Sequence, residues 1–219
     1  MPLYDFLAPT YDLAFEKIQR PFRQRALEKI PVPAGSSVLD LACGSGQNFP
    51  LLVPRVGRQG HLIGVDISNG MLRYARNRAR SCADDPKISL IHHDAANLSS
   101  ALLEAETGTG LVDFVLCTYG FTSMRDPVAA FRASWSVLKP GGGYGILDIH
   151  AAPRTLHARA VELATHSRFT EDAWRPLQKA SPDFRMDYLD PSAHLFGGRL
   201  FVAWGSKPHA ATRPPPCPS

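Results

Sequence analysis

No stretch of this 219-residue chain approaches the ~18 consecutive apolar residues of a membrane-crossing helix. The opening Met1-Pro2-Leu3-Tyr4-Asp5 has no basic segment followed by an apolar one, so no secretory leader is expected and the cytoplasm is the default compartment. Cysteine is scarce. Cys43, Cys82, Cys117 and Cys217 lack the CxxC or Cys/His spacing of a zinc site. Cys43 and Cys117 lie in apolar strand contexts that suit buried thiols. Interleaved aromatic and basic repeats are also missing, so a net charge of +4 does not by itself indicate a nucleic-acid partner. The 44% hydrophobic and 20% charged content is that of an ordinary globular protein, and the length suits one α/β domain with a full core.

What is present centres on one stretch. Val38-Leu39-Asp40-Leu41 reads as a short apolar strand, Gly44 and Gly46 follow in a tight turn, and residues 48–53 can open a helix. A strand, a glycine turn and a helix start bring backbone N–H groups close to a nucleotide-like ligand. A dinucleotide site carries a third glycine three residues after the second, and here that position is Phe49. Asp40 before the turn is awkward beside a pyrophosphate but suits a cationic ligand with an ammonium and a sulfonium. Residues 60–66 form a second strand ending in Asp66, about 20 residues past the glycines, where an acid accepts ribose hydroxyls. That feature alone serves dinucleotide and nucleoside sites equally.

Asp40-x-x-x-Gly44-x-Gly46 resembles motif I of the class I S-adenosylmethionine (SAM)-dependent methyltransferases. The step Asp66-Ile67-Ser68-x-x-Met71-Leu72 and the turn Leu138-Lys139-Pro140-Gly141-Gly142 before a strand are similar to that family in the same order. Tyr4-Asp5-x-x-Ala8-x-x-Tyr11-Asp12 resembles the start of its quinone- and phospholipid-methyltransferase branch, where the segment is a lid and the second tyrosine lies near SAM. The resemblance covers residues 4–205. It implies a Rossmann-like, doubly wound α/β fold whose seven-stranded, mostly parallel sheet ends in an antiparallel strand. One domain over 1–205 is expected, with N-terminal lid helices in 1–33. Residues 206–219 have too few apolar groups to pack and read as a mobile proline-rich tail.

SAM is the implied cofactor. Its implied contacts are Asp40, Ala42, Gly44, Gly46 and Asn48 around motif I, and Asp66, Ile67 and Met71 after the second strand. Asp94 and Ala95 follow a third strand over 87–91 and would meet the adenine edge; Tyr11 completes the lid. Ligands of open α/β sheets bind outside the strands' carboxyl ends. Thr118 and Tyr119, after a fourth strand over 111–117, therefore fall near the methyl group. His150 closes a fifth strand over 144–150 and stands with Tyr119 as a candidate base or substrate contact; a structural hydrogen-bonding role is the other reading of it. His92 and His93 are adjacent on an extended chain and point to opposite faces, so no metal site is expected.

The Asp/Asn-Pro-Pro-Tyr motif of nucleobase and glutamine methyltransferases is missing. That departure argues against a nucleobase, and an aromatic-lined pocket would suit a small apolar or lipid-like acceptor, an amine, phenol, quinone or secondary metabolite. Tyr11, Phe49, Tyr119, Phe121 and Trp174 are the expected aromatic lining. Residues 13–30 are amphipathic and basic, with Leu13, Phe15, Ile18, Phe22, Leu27 and Ile30 on the apolar side and a break or kink expected at Pro21. Lys17, Arg20, Arg23, Arg25 and Lys29 could meet an anionic bilayer or simply face water. Two other functions stay open: a SAM-binding protein that transfers no methyl group, and an NAD-dependent oxidoreductase, which Asp40 and Phe49 disfavour.

Overall fold

The computed structural model describes residues 2–82, 86–151, 156–165, 168–169, 172–189, 194–195 and 197–209. For residues 2–15, 157, 160–161, 164–165 and 194–195 it describes the backbone alone.

The apolar runs form β1 (Ser37–Leu41), β2 (His61–Asp66), β3 (Lys87–His92), β4 (Val112–Thr118) and β5 (Leu138–His150), all parallel. The chain closes through β6 (Arg185–Tyr188), the two-residue β7 (His194–Leu195) and β8 (Gly198–Ser206), with β8 antiparallel to β5 and β6. Sheet order is β3-β2-β1-β4-β5-β8-β6, with β7 pairing only β8. This is the expected mostly parallel, seven-stranded frame with a small addition. The path leaves β1 towards β2 and β3, then returns to add β4 on the other side. That reversal opens a crevice at the carboxyl ends of β1 and β4, where ligands of such sheets bind.

Both sheet faces are covered. Helices α1 (Pro2–Lys29), α2 (Phe49–Val56), α3 (Asn69–Ser81) and α6 (Leu156–Thr165) lie on one, over a core that includes Val38, Leu62, Phe114 and Leu147. Helices α4 (Ser100–Thr107), α5 (Pro127–Ser136) and α7 (Arg175–Ala180) cover the other, over Leu39, Leu41, Val115 and Ile146. Successive side chains of β1 thus enter opposite cores, which is why a central parallel strand reads as a continuous apolar run. Burial of Leu39 and Leu41, neither exposed, contributes about 1.5–3 kcal/mol each. Side-chain caps set the helix starts: Ser68 Oγ accepts from Met71 N at 3.2 Å, and Asp126 Oδ1 accepts from Ala129 N at 2.9 Å.

Three expectations change. The amino-terminal segment is one helix running through Pro21, not separate lid helices. Pro21 is exposed, and the buried positions Gln19, Arg23, Ala26, Leu27 and Ile30 keep helical spacing across it, so tertiary packing carries the helix through the proline. The same packing turns the face: Ile18, expected inside, is 48% exposed, while Gln19 and Arg23 are buried. Strand β5 starts at Leu138 instead of Tyr144, because its pairing with β4 jumps from Val112–Leu138 to Phe114–Gly143 and absorbs the glycine turn as an irregularity. A side chain at Gly143 would meet the Phe114 ring at 2.4 Å, so the close approach needs glycine. Finally, β8 continues through Ser206, and Lys207 exchanges 2.8 Å backbone hydrogen bonds with Gly141 and Gly142. The last paired residues are therefore past the tail's expected start at 206; residues 210–219 lie outside those described.

Candidate active site

The turn after β1 is built on left-handed backbone, with φ of 54° at Ala42, 55° at Gly44 and 78° at Gly46. Ala42 adopts this conformation without being glycine, a strain typical of ligand-shaping turns. A side chain at Gly46 would meet the Phe49 ring at 2.5 Å. At Gly44 nothing lies within 4 Å, so a ligand can approach the backbone there. Phe49 is fully buried and packs beneath Gly46 and Gly64. It is core rather than pocket lining, and two glycines on its partners provide the close packing that a third glycine in the turn would otherwise allow.

Asp40 is fully buried at the end of β1. Asn48 Nδ2 donates to its Oδ1 at 2.7 Å, while Oδ2 has no hydrogen-bond partner among the described residues. Burial pushes its pKa to about 7, against the Asn48 hydrogen bond and the Arg23 charge that favour the carboxylate. Asp66 braces the turn from β2: Gly44 N donates to Oδ2 and Ser68 N to Oδ1, both at 2.8 Å. Each of these oxygens has a second lone pair for a ligand hydroxyl. Ile67 beside it is 60% exposed and Met71 half-buried, leaving apolar surface for a purine ring. Asp94 is exposed at the end of β3 and caps a short turn through Ala96 N at 2.9 Å, with Ala95 half-buried behind it. His92 and His93 diverge, to Ile67 O at 2.9 Å and Asn97 O at 3.2 Å.

Thr118 and Tyr119 end β4 beside this turn. Asn48 Nδ2 also donates to Thr118 Oγ1 at 3.0 Å. Tyr119 has φ of 58°, donates its N–H to Leu147 O at 2.7 Å, and buries a hydroxyl with no partner among the described residues. Burial raises its phenol well above the ordinary range, so it stays protonated.

Two site residues escaped the sequence reading. Arg23, counted there among the surface cations, reaches inward from α1. Its Nη1 donates to Asn48 Oδ1 at 2.9 Å and to Thr118 Oγ1, Nη2 donates to Gln19 Oε1 at 3.1 Å, and the guanidinium lies 4.9 Å from the Tyr119 ring centroid. The available signal was its helical spacing with Gln19, Ala26, Leu27 and Ile30. Asp148, inside β5, is fully buried. Its carboxylate accepts from Thr122 Oγ1 at 2.7 Å, Thr122 N at 3.2 Å and Ile149 N at 2.8 Å, pinning the turn after Tyr119. Burial lifts its pKa to about 6. A lone acid within Ile146-Leu147-Asp148-Ile149 was the available signal.

His150 is drawn elsewhere. It lies on the opposite sheet face from Arg23, with Nδ1 3.2 Å from Tyr188 Oη, Nε2 3.2 Å from Asp172 Oδ1, and its ring edge-on to Trp174 at 4.7 Å. Burial lowers its pKa despite Asp172. Phe121 is 2% exposed and packs in the core of the sheet face opposite Arg23, so like Phe49 it does not line this crevice; Trp174 is half-buried. Tyr11 is within α1, and its side chain lies outside those described. A cavity of about 740 Å³ opens among Pro33, Asp113, Lys139 and Gly142, at the amino-terminal edge of the sheet and away from this site.

A parallel sheet reversing at β1 and β4, with a glycine turn at the reversal and acids at the ends of β1 and β2, is the arrangement expected from the resemblance to the class I SAM-dependent methyltransferases, and the comparisons with known proteins point the same way. Residues 38–142 match the family model described as a methyltransferase domain. Among curated relatives, the 2-phytyl-1,4-naphthoquinone methyltransferase of Thermosynechococcus vestitus is 32% identical over 67% of this chain and 62% of its own length. The demethylmenaquinone methyltransferase of Listeria welshimeri is 27% identical over 67% of this chain and 60% of its own. The chain thus spans under two thirds of the length of these relatives. Among solved structures, the methyltransferase bound to the Haloferax volcanii Trm112 activator superposes with a TM-score of 0.72 at 20% identity, over 94% of this chain and 98% of that one. Haemonchus contortus phosphoethanolamine N-methyltransferase 2, solved with SAM, gives 0.67 at 14% identity over 86% and 53%. SAM fits the residues present: Asp40 Oδ2 is a buried acceptor awaiting a donor, Gly44 is open, and Ile67 offers exposed apolar surface.

Proposed function

We propose that this chain binds SAM at the β1–β4 crevice and methylates an apolar, quinone-like ring acceptor. The observation carrying the cofactor half is the unpartnered, fully buried Asp40 Oδ2 at the sheet reversal, which suits the ammonium of a cationic amino-acid moiety. Support for the acceptor half comes from the two curated relatives, both named for naphthoquinone-type substrates.

SAM supplies a methyl group already activated on a sulfonium, so the protein's work is alignment, exclusion of water and handling of one proton. Asp66 holds the ribose hydroxyls, Ile67 and Met71 the adenine faces, and Asp94 with Ala95 its edge. Arg23 and Gln19 keep α1 pressed over the strand ends, shielding them from water. Tyr119, held protonated by burial, donates a hydrogen bond to the acceptor and does not serve as its base. The site therefore favours an acceptor that sheds its own proton readily, as a phenolic or hydroquinone ring does. Exposed Lys17, Arg20 and Arg25 on α1 could hold the protein to the anionic surface in which such an acceptor dissolves.

The test is incubation of the pure protein with methyl-labelled SAM and a reduced, ring-unmethylated naphthoquinone, followed by organic extraction. Label in a ring-methylated organic product is expected. Label appearing only on water-soluble molecules of an added cell extract would rule out the quinone-like acceptor. Tight SAM binding without transfer to either would favour the non-methylating alternative.

A further inference from the structure

On the sheet face opposite Arg23, a cavity of about 440 Å³ opens between α5 and α7. Its floor is aromatic: Phe121 and Phe131 line it and are 2% and 5% exposed. Its rim is apolar on one side, where Val128 is 44% exposed, and cationic on the other, where Arg132, Arg175 and Lys179 are exposed. The one carboxylate in the lining, Asp172, is committed to Arg175 at 2.5 Å and to His150 at 3.2 Å. Arg132 and Lys179 have no ion pair or hydrogen-bonded side-chain partner among the described residues.

An apolar well rimmed by two uncompensated cations is unlike an ordinary solvated surface. Loose cations usually project from convex faces, where water solvates them fully, and exposed apolar rims at a concavity mark ligand sites. We propose that this cavity binds a small single-chain amphiphile, its hydrocarbon on Phe121 and Phe131 and its anionic head, a phosphate or carboxylate, between Arg132 and Lys179. Phosphate or carboxylate heads gain charge-assisted hydrogen bonds there, and the chain leaves water. The site is separate from the β1–β4 crevice and does not depend on methyl transfer.

Titration of the full chain by calorimetry, with octyl phosphate, octanoate, octanol and inorganic phosphate in separate arms, tests this. Octyl phosphate or octanoate should bind roughly tenfold or more tightly than both octanol and inorganic phosphate, and more weakly as salt rises; comparing the two anions identifies the preferred head. Equal binding of octanol would show that the cations play no part, equal binding of inorganic phosphate that the well plays none, and no binding at all would overturn the site. The double variant Arg132→Gln/Lys179→Gln, whose side chains are exposed and unpaired, should keep its melting temperature and SAM affinity while losing the preference for the anionic probes. A retained preference would also overturn the proposal.

Discussion

Among the described residues Asp40 has a single side-chain donor, Asn48, and it has no water-exposed surface, so in the ligand-free protein its carboxyl holds a proton up to a pKa of about 7. A raised folded pKa means that the folded chain binds more protons than the unfolded one above 3.8. The Asp40 contribution to stability is therefore largest at low pH and is lost as pH rises through 7. Asp40→Asn removes this titration, so its melting temperature relative to the parent should rise from roughly pH 4 to pH 7 and then level off. A constant difference would sink the assignment of a buried protonated acid. Cofactor affinity should run the other way. An ammonium beside Asp40 needs the ionised acid, so SAM affinity measured by calorimetry should climb towards pH 7 and then level off, and in Asp40→Asn it should be weak and flat. Asp66→Ala removes the acceptor for Gly44 N, Ser68 N and the ribose hydroxyls together; a loss of roughly a hundredfold in SAM affinity is expected, and unchanged affinity would remove Asp66 from the site.

Helix α1 and the glycine turn carry the predictions at the level of elements. Pro21 lies in the interior of α1 with its ring exposed, and its helical conformation is imposed by the packing of residues on either side. Pro21→Ala restores a backbone donor and removes the ring clash, so urea unfolding should show a gain approaching ~3 kcal/mol. No gain would mean that α1 is not continuous through this point. In the turn, Gly46→Ala places a methyl group 2.5 Å from the Phe49 ring on a backbone at φ 78°. A stability loss of about 1–3 kcal/mol is expected, partly recovered by adding Phe49→Leu, since the two positions share one contact. Independent, additive effects would show that the ring does not press on the turn.

At the scale of the whole molecule, the two cores meet through one continuous sheet, and α1 and β6 are tied by Lys29 and Asp187 at 2.8 Å. We propose that residues 1–205 unfold as one unit. A single calorimetric transition is expected, raised by SAM in proportion to occupancy, by about 2.7 kcal/mol at a hundred times the dissociation constant. Two transitions, with only one moved by SAM, would divide the chain into separate folding units.

What local sequence determines here is what depends on local chemistry. The apolar run of β1, the tight turn at Gly44 and Gly46 and the acids ending β1 and β2 are all set within a few residues of chain, and all were legible. Tertiary structure alone decided what depends on neighbours distant in sequence. Phe49 and Phe121 read as pocket aromatics but are core, because the glycines and strands that cover them come from elsewhere in the chain. Arg23 reads as one cation among several on a basic helix. It becomes part of the site because the sheet beneath turns that face of α1 onto Asn48 and Thr118. Asp148 and His150 stand two apart on one strand and share a face, yet one is sealed under Thr122 and the other opens to Asp172 and Tyr188. Periodicity tells which residues of an element face together. Which of those faces is sealed, and by what, is settled only when the other elements pack against it.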